Sequence, residues 1–256
     1  MNVEIDTLLK KYEIKDMNDW DGVNADLIIT DPPFGIKFNG KKGNYHRKSE
    51  YVVDGYIEWN VEEYDKKISQ LLNVIYKNLK PNGQALLFSG WNNSGIVSNE
   101  ISKFNKLKLN GKLYWIYNFA PACRKRPSHN VYEIFWLIKG KNYTYHNRCT
   151  TEHCLNGEPN LSSFIFKKDY KMEIPKYPTR LPYNLLKSLI EHFSNENDLI
   201  FDPLAGSGIV GIVSYFNQRD FLLGDLNPSG KLVYEHLLKY YIDKNKIIDK
   251  YQKIFD

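Results

Sequence analysis

The sequence predicts an α/β fold built on a largely parallel sheet, and three observations lead there. Short apolar runs alternate with segments of helical periodicity along most of the chain. One strand-to-helix junction, near residue 206, is a glycine turn of the kind such sheets use. The composition, 42% hydrophobic and 25% charged over 256 residues, is that of a globular chain and excludes wholesale disorder.

The elements follow in order. Ala25 to Thr30 (ADLIIT) is an apolar run stopped by Asp-Pro-Pro, hence a buried strand. Gly35 to Ser49 is rich in glycine and lysine and reads as a loop. Val61 to Leu79 places Ile68, Leu71, Leu72, Ile75 and Leu79 at helical spacing, with Lys80-Pro81-Asn82-Gly83 as the expected stop. Ala85 to Phe88 is a second buried strand and Ile96 to Phe104 a helix. Leu113 to Phe119 and Val131 to Ile138 are aromatic and β-branched, hence strands. From Lys139 to Ile174 the pattern dissolves, over a length that suits a functional insert better than a connection. Regularity returns with a helix over Pro182 to Phe193 and a strand over Leu199 to Phe201. A helix over Ile209 to Phe216, a strand over Phe221 to Leu223 and a long helix from Ser229 complete the chain.

Several classes of protein are excluded by the same arithmetic. No window holds about 18 consecutive apolar residues, so no helical membrane span is expected. The first residues, MNVEIDTLLKKYEIKD, lack the apolar core of a signal peptide. Three cysteines, Cys123, Cys149 and Cys154, do not make a disulfide scaffold and point to a reducing cytoplasm. A net charge of +5 permits a nucleic-acid partner without demanding one. His146, Cys149, His153 and Cys154 lie close together, but H-x2-C-x3-H-C is not a common zinc spacing and no metal is expected.

Two turns carry the chemistry. In LIFDPLAGSGIVG, Leu199 to Gly211, the glycines Gly206, Gly208 and Gly211 follow a strand and open a helix. Asp225 stands about 20 residues further on, at the end of the next strand. Glycines let a ligand approach the backbone and the acid accepts ribose hydroxyls, an arrangement equally suited to NAD, FAD or S-adenosylmethionine. The other turn is Thr30-Asp31-Pro32-Pro33-Phe34. Its two prolines donate no backbone hydrogen bond and fix the chain. What remains is two acceptors, the Asp31 carboxylate and the Pro32 carbonyl, beside the Phe34 ring. That set suits a planar group bearing an NH2, two acceptors for its protons and a ring for its face. Adenine and cytosine are such groups. Their amino lone pair is delocalised into the ring, and two placed acceptors free it for attack on an electrophile.

Here the chain resembles the S-adenosylmethionine-dependent DNA amino-methyltransferases. Asp31-Pro32-Pro33-Phe34 matches their catalytic signature and Asp202-Pro203-Leu204-Ala205-Gly206-Ser207-Gly208 their cofactor signature. The order, catalytic turn first, is similar to the circularly permuted β group. Leu79-Lys80-Pro81-Asn82-Gly83 leading to Phe88-Ser89-Gly90-Trp91 fits in sequence, as do Lys112-Leu113-Tyr114-Trp115 and His129-Asn130-Val131-Tyr132-Glu133-Ile134. Tyr177-Pro178-Thr179-Arg180-Leu181-Pro182 resembles the block that precedes the cofactor half. The resemblance implies a Rossmann-like sheet in permuted order. Residues 1–138 would form the catalytic half, 139–175 a small target-recognition insert and 176–256 the cofactor-binding half.

It implies S-adenosyl-L-methionine as cofactor, with Asp31, Pro32, Pro33 and Phe34 catalytic. Asp202 would face the cofactor's ammonium group and Asp225 its ribose, with Pro203, Ala205, Gly206, Ser207 and Gly208 shaping the turn. Asp16 would reach the cofactor adenine and Thr179 its carboxylate. Leu181 and Tyr177 replace the Lys and His of that last block, and Leu204 replaces a Phe of the cofactor signature. Lys41, Lys42, Arg47 and Lys48, directly after the catalytic turn, and Arg124 and Arg126 are expected on DNA phosphates. The partners implied are double-stranded DNA, a second copy of the chain and a cognate restriction enzyme, with no membrane. The function expected is methylation of adenine N6 in flipped-out DNA within a restriction-modification or related system. Cytosine N4 methylation is the alternative. An RNA or protein methyltransferase, an NAD-dependent oxidoreductase and a non-catalytic DNA-binding subunit are the other readings.

Overall fold

The computed structural model describes residues 3–35, 58–117, 125, 127–147, 162–168 and 180–255, with side chains up to residue 245. In chain order the elements are α1 (Val3–Lys10), β1 (Tyr12–Ile14), β2 (Ala25–Thr30), α2 (Tyr64–Asn78), β3 (Leu79–Ser89), α3 (Ser94–Lys103), β4 (Lys108–Ile116), β5 (Val131–Ile138) and β6 (Ser163–Ile165). Then follow α4 (Tyr183–Phe193), β7 (Leu199–Asp202), α5 (Ile209–Phe216), β8 (Asp220–Asp225) and α6 (Pro228–Phe255). The eight strands form one sheet in the order β1-β8-β7-β2-β3-β5-β4-β6. The first five neighbours pair in parallel, β5 runs antiparallel to β3 and β4, and β6 is parallel to β4. The α/β, mostly parallel, Rossmann-like fold expected from the sequence is the one observed.

Strand alternation sorts the core into two faces. Leu27 and Ile29 of β2, Leu86 and Phe88 of β3 and Ile200 of β7 point to the side covered by α4, α5 and α6. Ile28, Leu87 and Phe201 point to the side covered by α2 and α3. Both faces are buried, which is why these strands read as continuous apolar runs. In α2, Ile68, Leu71, Leu72 and Ile75 form the inward stripe that the spacing predicts.

Element boundaries differ from the sequence reading where local chemistry is ambiguous. Lys80 to Gly83 does not end the segment before a strand; it lies within β3, with Asn82 at φ 67° absorbing the irregularity. β4 begins at Lys108, earlier than expected, because polar residues on a half-covered strand hide its start. The elements α1, β1 and β6 had no expectation; β1 and β6 are three residues each, too short to show a period. Residues just after β5 pack back on the sheet. Thr144 and Phe193 carbonyls both accept from the buried Gln84 side chain, and Tyr143 and Tyr145 flank Trp136.

The chain reverses its winding between β7 and β2. From β7 it proceeds through α5 to β8 on one side, and from β2 through α2 to β3 on the other. Ligands of open α/β sheets bind outside the carboxyl ends of strands at such a switch point. Both sequence-predicted turns lie there.

Candidate active site at the sheet switch point

β2 and β7 are parallel neighbours with Leu27 opposite Ile200 and Ile28 opposite Phe201. Their register places Asp202 near the level of Ile29, so Asp31 and Asp202 extend from adjacent strand ends on the same face. The Asp31 Oδ1 atom is buried and has no hydrogen-bond partner among the described residues. Burial, then the Asp202 and Glu58 carboxylates, push the Asp31 carboxyl up to about 8, against which Lys168 acts as a nearby cation. Burial likewise raises Asp202 to about 7, partly offset by the Leu204 amide, which donates to Asp202 Oδ1 at 3.0 Å.

The backbone after Asp31 is held from outside. Gly35 has φ 65°, and a Cβ there would lie 2.5 Å from the Tyr64 ring, so glycine is required. The Gly35 amide donates to Glu58 Oε1 at 2.8 Å. Asn93 Nδ2 donates to the Phe34 carbonyl at 2.6 Å and to that of Gly35 at 3.1 Å. Phe34 is seated against Gly90, where a Cβ would come within 3.0 Å of its ring. It also contacts Tyr132, 5.4 Å between ring centroids. Tyr132 in turn contacts Trp115 and Tyr117, making an aromatic wall beside the turn. Trp91, next to Gly90, stacks on His129 with ring centroids 4.0 Å apart and remains 44% exposed.

The cofactor-type turn is equally constrained. Gly206 and Gly208 have φ of 49° and 71°, and a Cβ on Gly208 would stand 2.4 Å from the Tyr234 ring. The Gly208 amide donates to the Ala205 carbonyl, and the Ala205 amide to that of Gly224, both at 2.8 Å. Asp225 accepts from the Gly206 amide through Oδ2 and from the Asn227 amide through Oδ1, both at 2.8 Å. It therefore ties β8 to the glycine turn and keeps lone pairs for a further donor. It does not cap α6; Asn227 does, accepting from the Ser229 amide. Partial burial raises the Asp225 carboxyl as well. Tyr12 of β1 donates to the Gly206 carbonyl at 2.8 Å. Asp16 lies just past β1, next to Lys15, whose amide donates to the Asp225 carbonyl. The Asp16 side chain caps the short turn Met17–Asp19, accepting from the Asn18 amide.

Of the residues predicted from sequence, Asp31 to Phe34 and Asp202 to Gly208 with Asp225 come together at the switch point, and Asp16 borders it. Pro203 and Ser207 are buried within the second turn. Thr179, Lys41, Lys42, Arg47, Lys48, Arg124 and Arg126 lie outside the described residues, as do Cys149, His153 and Cys154. His146 Nε2 donates to Asn195 Oδ1 at 3.1 Å. No group of three metal-ligating side chains occurs among the described residues, and no described helix is long and apolar enough to cross a membrane. Sequence reasoning missed Glu58, Asn93 and Lys168, which no motif marks, and gave no role to Tyr132, which stands in one of the matched blocks. Gly90, inside one of the matched blocks, was the available hint that a ring lies against that strand.

Comparisons with known proteins agree with this geometry. The family model for N6/N4 DNA methylases matches residues 25–235. The DNA adenine methyltransferase YhdJ of Escherichia coli K12 is 24% identical over 228 residues, 80% of this chain and 72% of its own. The cytosine-N4-specific PvuII DNA methyltransferase superposes with a TM-score of 0.68 at 16% identity, covering 95% of this chain and 91% of the other. The M1.HpyAVI–SAM complex superposes with a TM-score of 0.57 at 18% identity, covering 82% and 87%. S-adenosylmethionine is the methyl donor of the matched family, which removes the nicotinamide reading of the glycine turn. With the family model spanning most of the sequence and both its signature turns meeting at one switch point, this chain belongs to the N6/N4 family of DNA methylases and is a methyltransferase enzyme.

Proposed function

We propose that the protein methylates the N6 amine of an adenine flipped out of duplex DNA. The observation that carries this reading is the buried, unpartnered Asp31 Oδ1 at the end of β2. A buried acceptor without a donor is costly unless a ligand completes it. Asp31 and the Pro32 carbonyl each accept one proton of the target amine, Pro33 holds the turn extended, and Phe34 supports the base face. Two fixed acceptors turn the nitrogen lone pair toward the methyl carbon of S-adenosylmethionine, the electrophile when bound. The N–C bond forms as the C–S bond breaks with its electron pair on sulfur, and the surplus nitrogen proton passes to the Asp31 carboxylate. Positioning supplies most of the rate.

Asp202 faces the cofactor ammonium, Asp225 adds the ribose hydroxyls to its two amide donors, and Gly206 and Gly208 leave room for the chain. Asp16 stands next to the adenine edge. Adenine is preferred over cytosine because Asp occupies the first position of the turn, as the resemblance implies for N6 enzymes, and because the Escherichia coli relative is named for adenine. Cytosine N4 remains the second reading, since the PvuII enzyme of similar fold acts there. Incubating the protein with labelled S-adenosylmethionine and duplex DNA, then digesting to nucleosides, tests both: label in N6-methyladenine is expected, label in N4-methylcytosine overturns the base assignment.

The raised carboxyls at Asp31 and Asp202 predict a pH-dependent cofactor affinity. A cation lowers both values, so its binding displaces protons. Affinity for S-adenosylmethionine is expected to rise between about pH 6 and 8, by up to about tenfold per unit for each proton displaced. Without cofactor, these groups favour the folded state most below the ordinary carboxyl value of 3.8, and that contribution is lost as pH rises toward about 8. Calorimetric titration across that range measures the affinity, and a flat profile contradicts the linkage.

For DNA, Lys41, Lys42, Arg47 and Lys48 are proposed to contact phosphates, with residues 139–175 reading bases. Replacing the four with Ala should flatten the salt dependence of binding by about 0.9 in log–log slope per lost contact. Binding isotherms at several salt concentrations decide it; an unchanged slope removes the loop from the interface. A second copy of the chain and a cognate restriction enzyme complete the proposed partners.

A further inference from the structure

We propose that Lys168 is a positioning residue of the target-base site, held over the aromatic wall so that its ammonium serves as the chain's own counter-charge to Asp31. The proposal rests on the assignment of Asp31 above and adds a residue that neither signature turn contains.

Lys168 follows β6, whose pairing with β4 brings Ser163 opposite Tyr114 and Ile165 opposite Ile116. That pairing delivers the lysine to the wall beside the catalytic turn. Its Nζ stands 4.0 Å from the Tyr117 ring centroid, 5.5 Å from that of Tyr132 and 5.9 Å from that of Trp115. Three rings in mutual contact form a face that attracts a cation. Tyr132 continues the contact to Phe34, three residues beyond Asp31. The ammonium is thus fixed by packing that is continuous with the catalytic turn.

Charge explains why a cation belongs there. Asp202 from the end of β7 and Glu58 ahead of α2 both disfavour ionisation of Asp31, and Tyr64 of α2 is itself pushed up by burial, then by Glu58 and Asp31. Lys168 acts in the opposite sense on Asp31. A protonated Asp31 keeps only an uncharged, weaker acceptor beside a hydroxyl donor, and could not take up the surplus proton. Lys168 therefore widens the pH range over which the site is competent. Because its segment lies within the proposed base-reading region, the same contact makes catalytic competence depend on how that region is seated.

The test is single-turnover methyl transfer from saturating S-adenosylmethionine to duplex DNA between pH 6 and 9.5, for wild type, Lys168→Met and Lys168→Arg. Lys168→Met should move the acid limb of the profile to higher pH, with the largest rate loss at low pH and a narrowing gap as pH rises. Lys168→Arg should keep the wild-type limb. A loss equal at every pH, shared by both variants, overturns the proposal and leaves the lysine as packing only. A second measurement omits DNA: calorimetry in buffers of different ionisation enthalpy counts protons released when S-adenosylmethionine binds at pH 8. Lys168→Met should release more than wild type, and equal release overturns the proposal. If Lys168→Met does not fold, Lys168→Gln takes its place in both assays. Wild type inactive on every DNA would defeat the proposed function, while the proton count would still decide the role of Lys168.

Discussion

Replacing Asp31 with Ala is expected to lower methyl transfer by about a hundredfold or more, while S-adenosylmethionine affinity changes by no more than a few-fold. The asymmetry follows from the site's layout. In the proposed reading, Asp31, directly after β2, meets the target amine, whereas the cofactor rests on the turn after β7, beside the carboxylates of Asp202 and Asp225. Near neutral pH, Asp31 is largely protonated before the cofactor arrives, whereas Asp202 ionises more readily, so Asp31 contributes the smaller share of the cofactor's electrostatic attraction. Asp31→Asn keeps the shape but presents an amide nitrogen where an acceptor is needed, and should fail in the same way. Single-turnover kinetics paired with calorimetric titration separates the two effects. Near-normal turnover in either variant would remove Asp31 from the chemistry; an equal loss of cofactor affinity would make it a structural residue of the pocket.

The second large effect is expected at Gly208. An alanine there must hold φ near 71°, at about 1–2 kcal/mol for an L-residue in the left-handed region. Its Cβ would also sit 2.4 Å from the ring of Tyr234, which is fully buried and whose hydroxyl donates to the Leu8 carbonyl. Overpacking of such a core costs about 1–3 kcal/mol more. Gly208→Ala should therefore lower the melting temperature by roughly 5–15 °C and weaken cofactor binding by about tenfold or more as the turn is pushed outward. Melting curves with and without S-adenosylmethionine check both. A variant that melts like wild type would show that the turn relaxes freely, and that its glycines are not what shapes the cofactor site.

Much of this architecture was legible because the central strands are buried on both faces. Such strands read as unbroken apolar runs, and the bounds of β2, β5 and α5 agree with the sequence reading. The two turns were legible because proline and glycine restrict the backbone in ways that sequence records directly. What stayed hidden is held by partners far apart in the chain. Asp16 looked like an adenine contact, and in the fold its side chain also caps a local turn. Lys168 sits in a stretch without periodicity, and its place is set by a three-residue strand that only pairing with β4 defines. Glu58 and Asn93 grip the backbone after Asp31 through side-chain hydrogen bonds to main-chain atoms, which leave no pattern at all.

The interleaving of β2 between β7 and β3 has a consequence for how the molecule is made. Asp26, on the catalytic strand, accepts from Lys80 at 2.7 Å and from the Leu199 amide at 2.9 Å, the latter 173 residues away. A ribosome would finish β2 long before β7 exists. Until then the strand is paired on one side only, and the edge that will meet β7 is open to other chains. Closing such long-range parallel contacts is slow. The two turns can meet only when that closure is complete, so assembly of the active site reports the last stage of folding. A nascent or truncated chain ending before β7 would carry the catalytic turn without the neighbour that positions it, and would be prone to association through that open edge.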